Sequence, residues 1–104
     1  MYIPQLTQFF AIIEKDKRIG GTHICIYMTL FQHWNLKGFK NPISITRSEI
    51  MVASNIQARA TYHKCMKELH EYGYIKYIPS FHPLLGSLVY IIDVRMIALP
   101  KKQT

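Results

Sequence analysis

Residues 57–75 read QARATYHKCMKELHEYGYI and place polar side chains that suit nucleic-acid binding along one predicted helix. The basic and hydrogen-bonding side chains come first in this stretch, whereas its two acids, Glu68 and Glu71, come late. Phosphate groups attract lysine and arginine and repel carboxylates. The order of the charges therefore indicates a helix whose N-terminal half faces a polyanion.

The side chains in the first half of this helix match established ways of contacting DNA. A guanidinium such as that of Arg59 binds guanine O6 and N7 with two hydrogen bonds, and the amide of Gln57 can read adenine in a similar way. Lysine ammonium groups contact phosphates, which position a protein without reading the sequence. We expect four further contacts from this helix. Thr61 and His63 would contact bases or phosphates, and Lys64 and Lys67 would contact phosphates.

One basic residue precedes this helix in the sequence and another follows it. Arg47 begins the preceding predicted helix, whose N-terminus is a natural phosphate site. Lys76 follows on a predicted strand and is a further candidate phosphate contact. The alternative for all of these cations is an ordinary solvated surface, because the lysines and acids of the helix also have the spacing of surface ion pairs.

Catalytic motifs are not found in the sequence. The six acids form no paired-carboxylate pattern, and neither a glycine-rich phosphate loop nor a nucleophile motif occurs. The five histidines are scattered, and the cysteines, Cys25 and Cys65, lie in apolar helical patterns where a free cysteine acts as a small apolar side chain. We therefore expect no enzyme activity, no metal and no cofactor.

The composition fits one basic globular domain. The chain has 104 residues, of which 49% are hydrophobic, and this is enough for a compact core. The formal net charge is +7, and a small domain this basic usually meets nucleic acid or an anionic membrane surface. The apolar runs are too short to span a bilayer, and the start, MYIPQLTQFF, lacks the features of a signal peptide. With both cysteines interpreted as reduced, we expect a cytoplasmic protein.

Hydrophobic spacing predicts four helices and three strands. Apolar residues recur at three- and four-residue spacing in the helical stretches and alternate in the strands. Thr22 is the expected N-cap of the second helix, and Thr46 with Glu49 forms a capping-box pattern that begins the third. The predicted helices are 5–16, 23–36, 46–53 and 57–72, and the predicted strands are 43–45, 74–78 and 88–94.

Residues 44–78, SITRSEIMVASNIQARATYHKCMKELHEYGYIKYI, resemble the winged-helix family of DNA-binding domains. The matching pattern is a capped short helix, a tight turn and then R-x-T-Y-x-x-C-M-x-x-L-x-x-x-G-Y-I. The resemblance implies an α+β winged helix-turn-helix, with a three-helix core and a two-stranded wing, in a single domain. Residues 1–19 would then be an extra N-terminal helix, 22–94 the winged-helix core and 95–104 a tail.

More narrowly, the run SEIM…S…ATYHKC…L…GYI.Y.PS is similar to small excision proteins, or recombination directionality factors, of Bacteroides-type conjugative transposons. Such proteins act beside an integrase, so the resemblance implies sequence-specific binding of double-stranded DNA as a recombination accessory factor. The same fold serves transcription regulators and replication initiators, and these functions stay open as alternatives. No small-molecule ligand is expected, because the chain has no ligand-binding domain.

Apolar side chains in two regions are candidates for protein contacts. The loop PSFHPLLGS at 79–87 contains no lysine or arginine, and exposed apolar residues in a loop suggest a protein partner. The first helix also has more apolar surface than one packing face requires. The candidate contacts with an integrase or a second copy are Phe9, Phe10, Phe81, Leu84 and Leu85. A module that binds a protein partner with little DNA affinity is therefore a further alternative.

Overall fold

Four helices and a small antiparallel sheet make up the computed structural model, which describes residues 3–80 and 86–93, with side chains from Gln5 onward. The helices are α1 (Ile3–Ile13), α2 (Gly21–Leu36), α3 (Arg47–Ala53) and α4 (Arg59–Glu71), and the strands are β1 (Ile43–Ile45), β2 (Ile75–Ile78) and β3 (Ser87–Ile91). The predicted α+β class and the predicted order of elements are confirmed, whereas the predicted tail at 95–104 lies outside the described residues. None of the four helices has the length and apolarity that a membrane crossing requires within this part of the chain.

β3 is the central strand of the sheet, with β1 on one side and β2 on the other, both antiparallel to it. Ile43 pairs with Val89, Ile75 pairs with Ile91, and all four side chains are buried. Asn41 continues the pairing of β1: its Nδ2 donates to the Ile91 carbonyl oxygen at 3.0 Å, and its Oδ1 accepts from the Ile91 amide at 2.8 Å. The short predicted strand and the two late strands therefore form one sheet.

α2 lies at the centre of the core, as its wide apolar stripe predicts. Its side chains Ile26, Tyr27 and Leu30 are fully buried. The Tyr27 ring stacks on the ring of Phe9 in α1, with centroids 3.8 Å apart, and Gln5 Nε2 donates to the Tyr27 hydroxyl at 2.9 Å. These contacts make α1 an integral part of the hydrophobic core.

Capping side chains explain where two of the helices begin. Thr46 and Glu49 form the predicted capping box: Thr46 Oγ1 accepts from the Glu49 amide at 3.2 Å, and Glu49 Oε1 accepts from the Thr46 amide at 2.9 Å. The N-cap predicted at Thr22 is wrong, because α2 begins directly after Gly20. His23 Nδ1 accepts from the Gly20 amide at 2.9 Å and satisfies this end of the helix.

An ion pair between the buried Asp16 and the half-buried Arg18 fixes the connection between α1 and α2. The Asp16 carboxylate accepts two hydrogen bonds of 2.8 Å from the Arg18 guanidinium and one of 2.7 Å from the Tyr74 hydroxyl. The Arg18 guanidinium also lies 4.2 Å from the centroid of the Tyr72 ring. These bonds, that of Arg18 above all, lower the pKa of Asp16 to about 2 although burial opposes the shift. α1 ends at Ile13, three residues before its predicted end, and the chain turns before it reaches Asp16.

The connection between β2 and β3 is closed at its base. The Ser80 amide donates to Ser87 Oγ at 3.2 Å. Gly86 packs against the end of β1, where an added Cβ would lie 2.6 Å from the Ile45 carbonyl oxygen. Glycine is therefore required for this close approach of two backbone segments.

Candidate nucleic-acid interface

α4 packs on the core through one apolar face and presents the opposite face to solvent. Tyr62, Cys65, Met66 and Leu69 are buried, as the predicted helical spacing requires. Ahead of α4, a tight turn ends α3, and Asn55 in this turn has a φ of 57°, a left-handed conformation that asparagine tolerates. This turn redirects the chain from α3 into α4.

The N-terminus of α4 is open to an anion. The helix begins at Arg59 with Ala58 as its N-cap, so Gln57, predicted to open the helix, lies just before it. No side-chain cap forms at Ala58, and the first turn contains no acid. Residues 57–61 are all exposed. The first backbone amides therefore carry a partial positive charge toward solvent, which suits a phosphate group.

The residues predicted to contact DNA on α4 lie together on its solvent side. At about 100° per residue, His63, Lys64 and Lys67 share the outward side, while Arg59 and Thr61 flank it in the first turn. We call this surface the basic face. Its members, all exposed, are Gln57, Arg59, Thr61, His63, Lys64 and Lys67.

The two acids of α4 leave most of this positive charge in place. Glu68 turns toward α2, and its Oε1 lies 2.9 Å from Nε2 of His23. Glu71 Oε2 lies 3.9 Å from Lys67 Nζ, and an exposed pair at this distance contributes little. No ion pair within residues 5–80 and 86–93 involves the other cations of the basic face.

His23, Cys65 and Glu68 lie close enough to resemble a metal site, with one ligand atom from each within 4.8 Å of the others. The hydrogen bonds argue against that role. His23 Nδ1 accepts from the Gly20 amide, which assigns the imidazole proton to Nε2, the donor to Glu68. A metal-bound imidazole normally donates from its second nitrogen, and here that nitrogen faces a donor. Burial raises the pKa of the Cys65 thiol, so the cluster is best interpreted as a structural link between α2 and α4.

Arg47 and Lys76 reach different surfaces. Arg47 is half-buried at the start of α3. Burial raises the pKa of Tyr62 in α4, the Tyr77 hydroxyl of β2 raises this pKa further, and the positive charge of Arg47 lowers it. Arg47 therefore lies near the first half of α4. Lys76 is exposed with its Nζ 5.5 Å from the Tyr90 ring centroid. Because successive strand residues point to opposite faces, Lys76 lies across the sheet from Tyr77 and apart from the basic face.

His70, which no sequence pattern singled out, links α4 to the sheet. Its Nδ1 accepts a hydrogen bond of 2.9 Å from the Tyr77 amide on the outer edge of β2. The turn between them passes through Gly73, whose φ is 90°. Gly73 was a signal for a tight turn, but nothing in the sequence marks which side chain meets the strand edge.

Two of the five predicted partner contacts, Phe9 and Phe10, lie among the described residues. Phe9 is wrong as an exposed contact, because its ring is completely buried against Tyr27. Phe10 is 41% exposed and stays a candidate. Three further candidates lie outside the described residues: Phe81, Leu84 and Leu85.

Comparisons of the chain with protein-family models, with curated proteins and with solved structures give no match. The charge and exposure of the basic face therefore carry the functional interpretation, together with the sequence resemblance.

Proposed function

We propose that this protein binds double-stranded DNA as a winged helix-turn-helix domain, with α4 as its recognition helix. The observation that carries the proposal is the basic face. It exposes Arg59, Lys64 and Lys67. Of the two acids on α4, Glu68 is turned inward to His23, and Glu71 forms only an exposed pair of 3.9 Å with Lys67. The major groove of B-DNA admits an α-helix, and phosphates on both sides of the groove attract these cations. The net charge of +7 favours the same partner.

The order of the elements supports this docking. A short α3, a tight turn, α4 and the β2–β3 hairpin follow one another as they do in a winged helix-turn-helix. In that family the first part of the second helix contacts base edges, and the preceding helix contacts the backbone. Arg47 at the start of α3 is placed for such a backbone contact.

The exposed groups of the basic face divide into two kinds of contact. Arg59, at the first position of α4 beside the exposed Gln57, is the proposed base reader. Lys64 and Lys67 on the outward side contact phosphates. The uncapped amides of the first turn add a phosphate contact that carries no sequence information. Affinity should therefore fall steeply with salt, because several phosphates are neutralised.

Within the DNA-binding class, we propose an accessory role in excision of a mobile element. The support is the resemblance of residues 48–80 to excision proteins that act beside an integrase. Such a factor bends its DNA site, which a gel-shift assay detects as a mobility that depends on the position of the site in the fragment. Mobility independent of position would favour a transcription regulator or a replication initiator instead.

The first experiment is selection of bound sequences from a random duplex pool at two salt concentrations. For the enriched sequence, Arg59→Ala should cost about 1–3 kcal/mol of binding free energy and relax the preference at one base pair. Lys15→Ala is the matched control, since it removes one exposed positive charge after the end of α1, outside the basic face.

Two results would contradict the proposal at different levels. Equal affinity and equal preference in the Arg59→Ala and Lys15→Ala variants would reject α4 as the recognition helix. Absence of binding at low salt would reject DNA as the partner and favour a protein-binding module.

A further inference from the structure

His63 is the histidine of the basic face, and it stands between two cations. It is exposed, and its ring centroid lies 5.2 Å from that of the buried Tyr62. Residues four positions apart are neighbours on a helix, so Arg59 lies one turn before His63 and Lys67 one turn after it. Histidine is the side chain type that changes its charge between about pH 5 and about pH 8. The charge of the basic face therefore depends on whether His63 carries a proton.

α4 itself offers no carboxylate to a charged His63. No ion pair within residues 5–80 and 86–93 involves this histidine. Of the two acids of the helix, Glu68 turns toward α2, where its Oε1 lies 2.9 Å from His23 Nε2. Glu71 lies about two turns further along, beside Lys67. A positive charge on His63 would therefore meet cations on its own helix.

The neighbouring elements do not supply a free carboxylate either. Three groups from other elements act on Tyr62, the side chain next to this histidine: Tyr77 of β2, and Arg47 and Glu49 of α3. The Glu49 carboxylate is engaged at the start of α3, since its Oε1 accepts from the Thr46 amide at 2.9 Å. Arg47 adds another positive charge. The described surroundings of the histidine therefore repel an added proton more than they attract it.

Bound DNA would supply the negative charge that the protein lacks at this position. If α4 enters the major groove, the phosphates beside the groove lie against the exposed side of the helix. A protonated imidazole donates from both nitrogens and bonds strongly to a phosphate oxygen, whereas a neutral imidazole keeps one acceptor nitrogen and no charge. DNA therefore favours the protonated form, and by linkage the protonated form favours DNA.

We propose that DNA binding by the basic face is coupled to proton uptake by His63, so that affinity is regulated by pH. The inference rests on the proposed function, because DNA is the anion that drives the uptake. The complex holds more protons than the free protein, so affinity rises as the pH falls from about 8 to about 6. One more neutralised phosphate at about 0.1 M salt corresponds to about five- to tenfold tighter binding and a salt slope steeper by about one.

Affinity of the full chain for the enriched duplex, measured at about pH 6 and about pH 8 and at one ionic strength, tests the coupling. Wild type should bind about five- to tenfold more tightly at the lower pH. His63→Gln is neutral at both pH values and should bind at each as wild type does at the higher one. His63→Lys is charged at both and should bind at each about as tightly as wild type does at the lower one.

His33→Gln is the matched control, because it removes a histidine of α2 that lies outside the basic face, 4.0 Å from the Glu49 carboxylate. It should keep the pH dependence of wild type. Calorimetric titration in two buffers of different ionisation enthalpy measures the protons taken up on binding. Uptake should be present in wild type and in His33→Gln, and close to none in His63→Gln and in His63→Lys.

Loss of the pH dependence in the two His63 variants, with helical circular dichroism kept and with the control unchanged, would support the proposal. If His63→Gln does not bind, His63→Lys decides: binding independent of pH supports the coupling, and binding that still depends on pH overturns it. Wild-type affinity equal at both pH values would overturn the coupling and leave DNA binding in place. Absence of DNA binding at both pH values in low salt would reject the proposed function and the coupling together.

Discussion

The two ends of α4 use charge in different ways. At the C-terminal end, carboxylates are bound inside the molecule: Glu68 accepts a hydrogen bond from His23, and Asp16 binds Arg18 beside the end of the helix. At the N-terminal end, the cations of the basic face are exposed, and the backbone amides have no side-chain cap. The difference separates charges that hold the fold together from charges that are available to a partner. Substitutions at the first end should therefore change stability, and those at the second should change binding.

Asp16→Asn should give the largest loss of stability, about 2 kcal/mol in the free energy of unfolding. The substitution leaves the Arg18 guanidinium without its carboxylate and weakens the bond from the Tyr74 hydroxyl. Urea denaturation measures the loss. The neighbouring exposed Lys17→Ala is the control and should stay within about 0.5 kcal/mol of wild type. A similar loss in both variants would show that the ion pair of Asp16 does not hold this junction.

Asp16 should also make the protein sensitive to strong acid. Its pKa of about 2 in the folded protein lies below its ordinary value of 3.8, so between these values the unfolded chain binds more protons and stability rises with pH. The contribution is complete above about pH 5 and falls by about 2 kcal/mol as the pH drops to about 2. Urea midpoints across this range measure it. The Asp16→Asn variant should lack this part of the pH dependence, and identical profiles would contradict the assignment.

Ala58→Asp should raise the stability of the protein and lower its affinity for DNA. A side-chain cap at the start of α4 should raise the free energy of unfolding by about 0.5–1 kcal/mol. The same carboxylate would occupy the amides proposed to meet a phosphate, so DNA affinity should fall. Ala58→Ser adds a cap without charge and should weaken DNA binding less. DNA affinity equal to wild type in Ala58→Asp would show that no phosphate approaches this end of the helix.

Lys64→Ala should have the smallest effect, a loss of DNA affinity that is about the same for every sequence and a weaker salt dependence of binding. The slope of log affinity against log salt should become less steep by about one, because one phosphate contact is lost. Stability should not change, since this exposed lysine has no ion pair in the described part of the chain. An unchanged slope, as expected for Lys15→Ala, would remove Lys64 from the interface.

Local patterns predicted most of the helices and strands, because helical periodicity and capping depend on neighbours in sequence. The capping box at Thr46 and the buried side of α4 are confirmed for this reason. The contacts that fix the elements to one another were not predictable. His23 meets Glu68 across 45 positions, and Tyr74 meets Asp16 across 58, so no short motif joins them.

The pattern of one helix alone does not predict which of its apolar side chains are covered by the rest of the fold, as α1 and α2 show. Phe9 and Phe10 are adjacent, and adjacent residues on a helix point about 100° apart, so one ring enters the core while the other faces solvent. On α2, the wide apolar stripe predicted burial against more than one neighbour. The structure leaves Ile24 and Met28 only partly buried, along a groove between α2 and the turn after α3. The width of the stripe therefore overstated how much of α2 is covered.

The closed base of the β2–β3 connection makes it a suitable place for protein engineering. The bond from Ser80 to Ser87 joins the ends of β2 and β3, and Gly86 packs closely on Ile45 of β1. Insertions are best tolerated where the flanking backbone keeps its own bonds. A lysine-rich segment grafted between Ser80 and Gly86 should therefore extend the cationic reach of the molecule while the core stays unchanged.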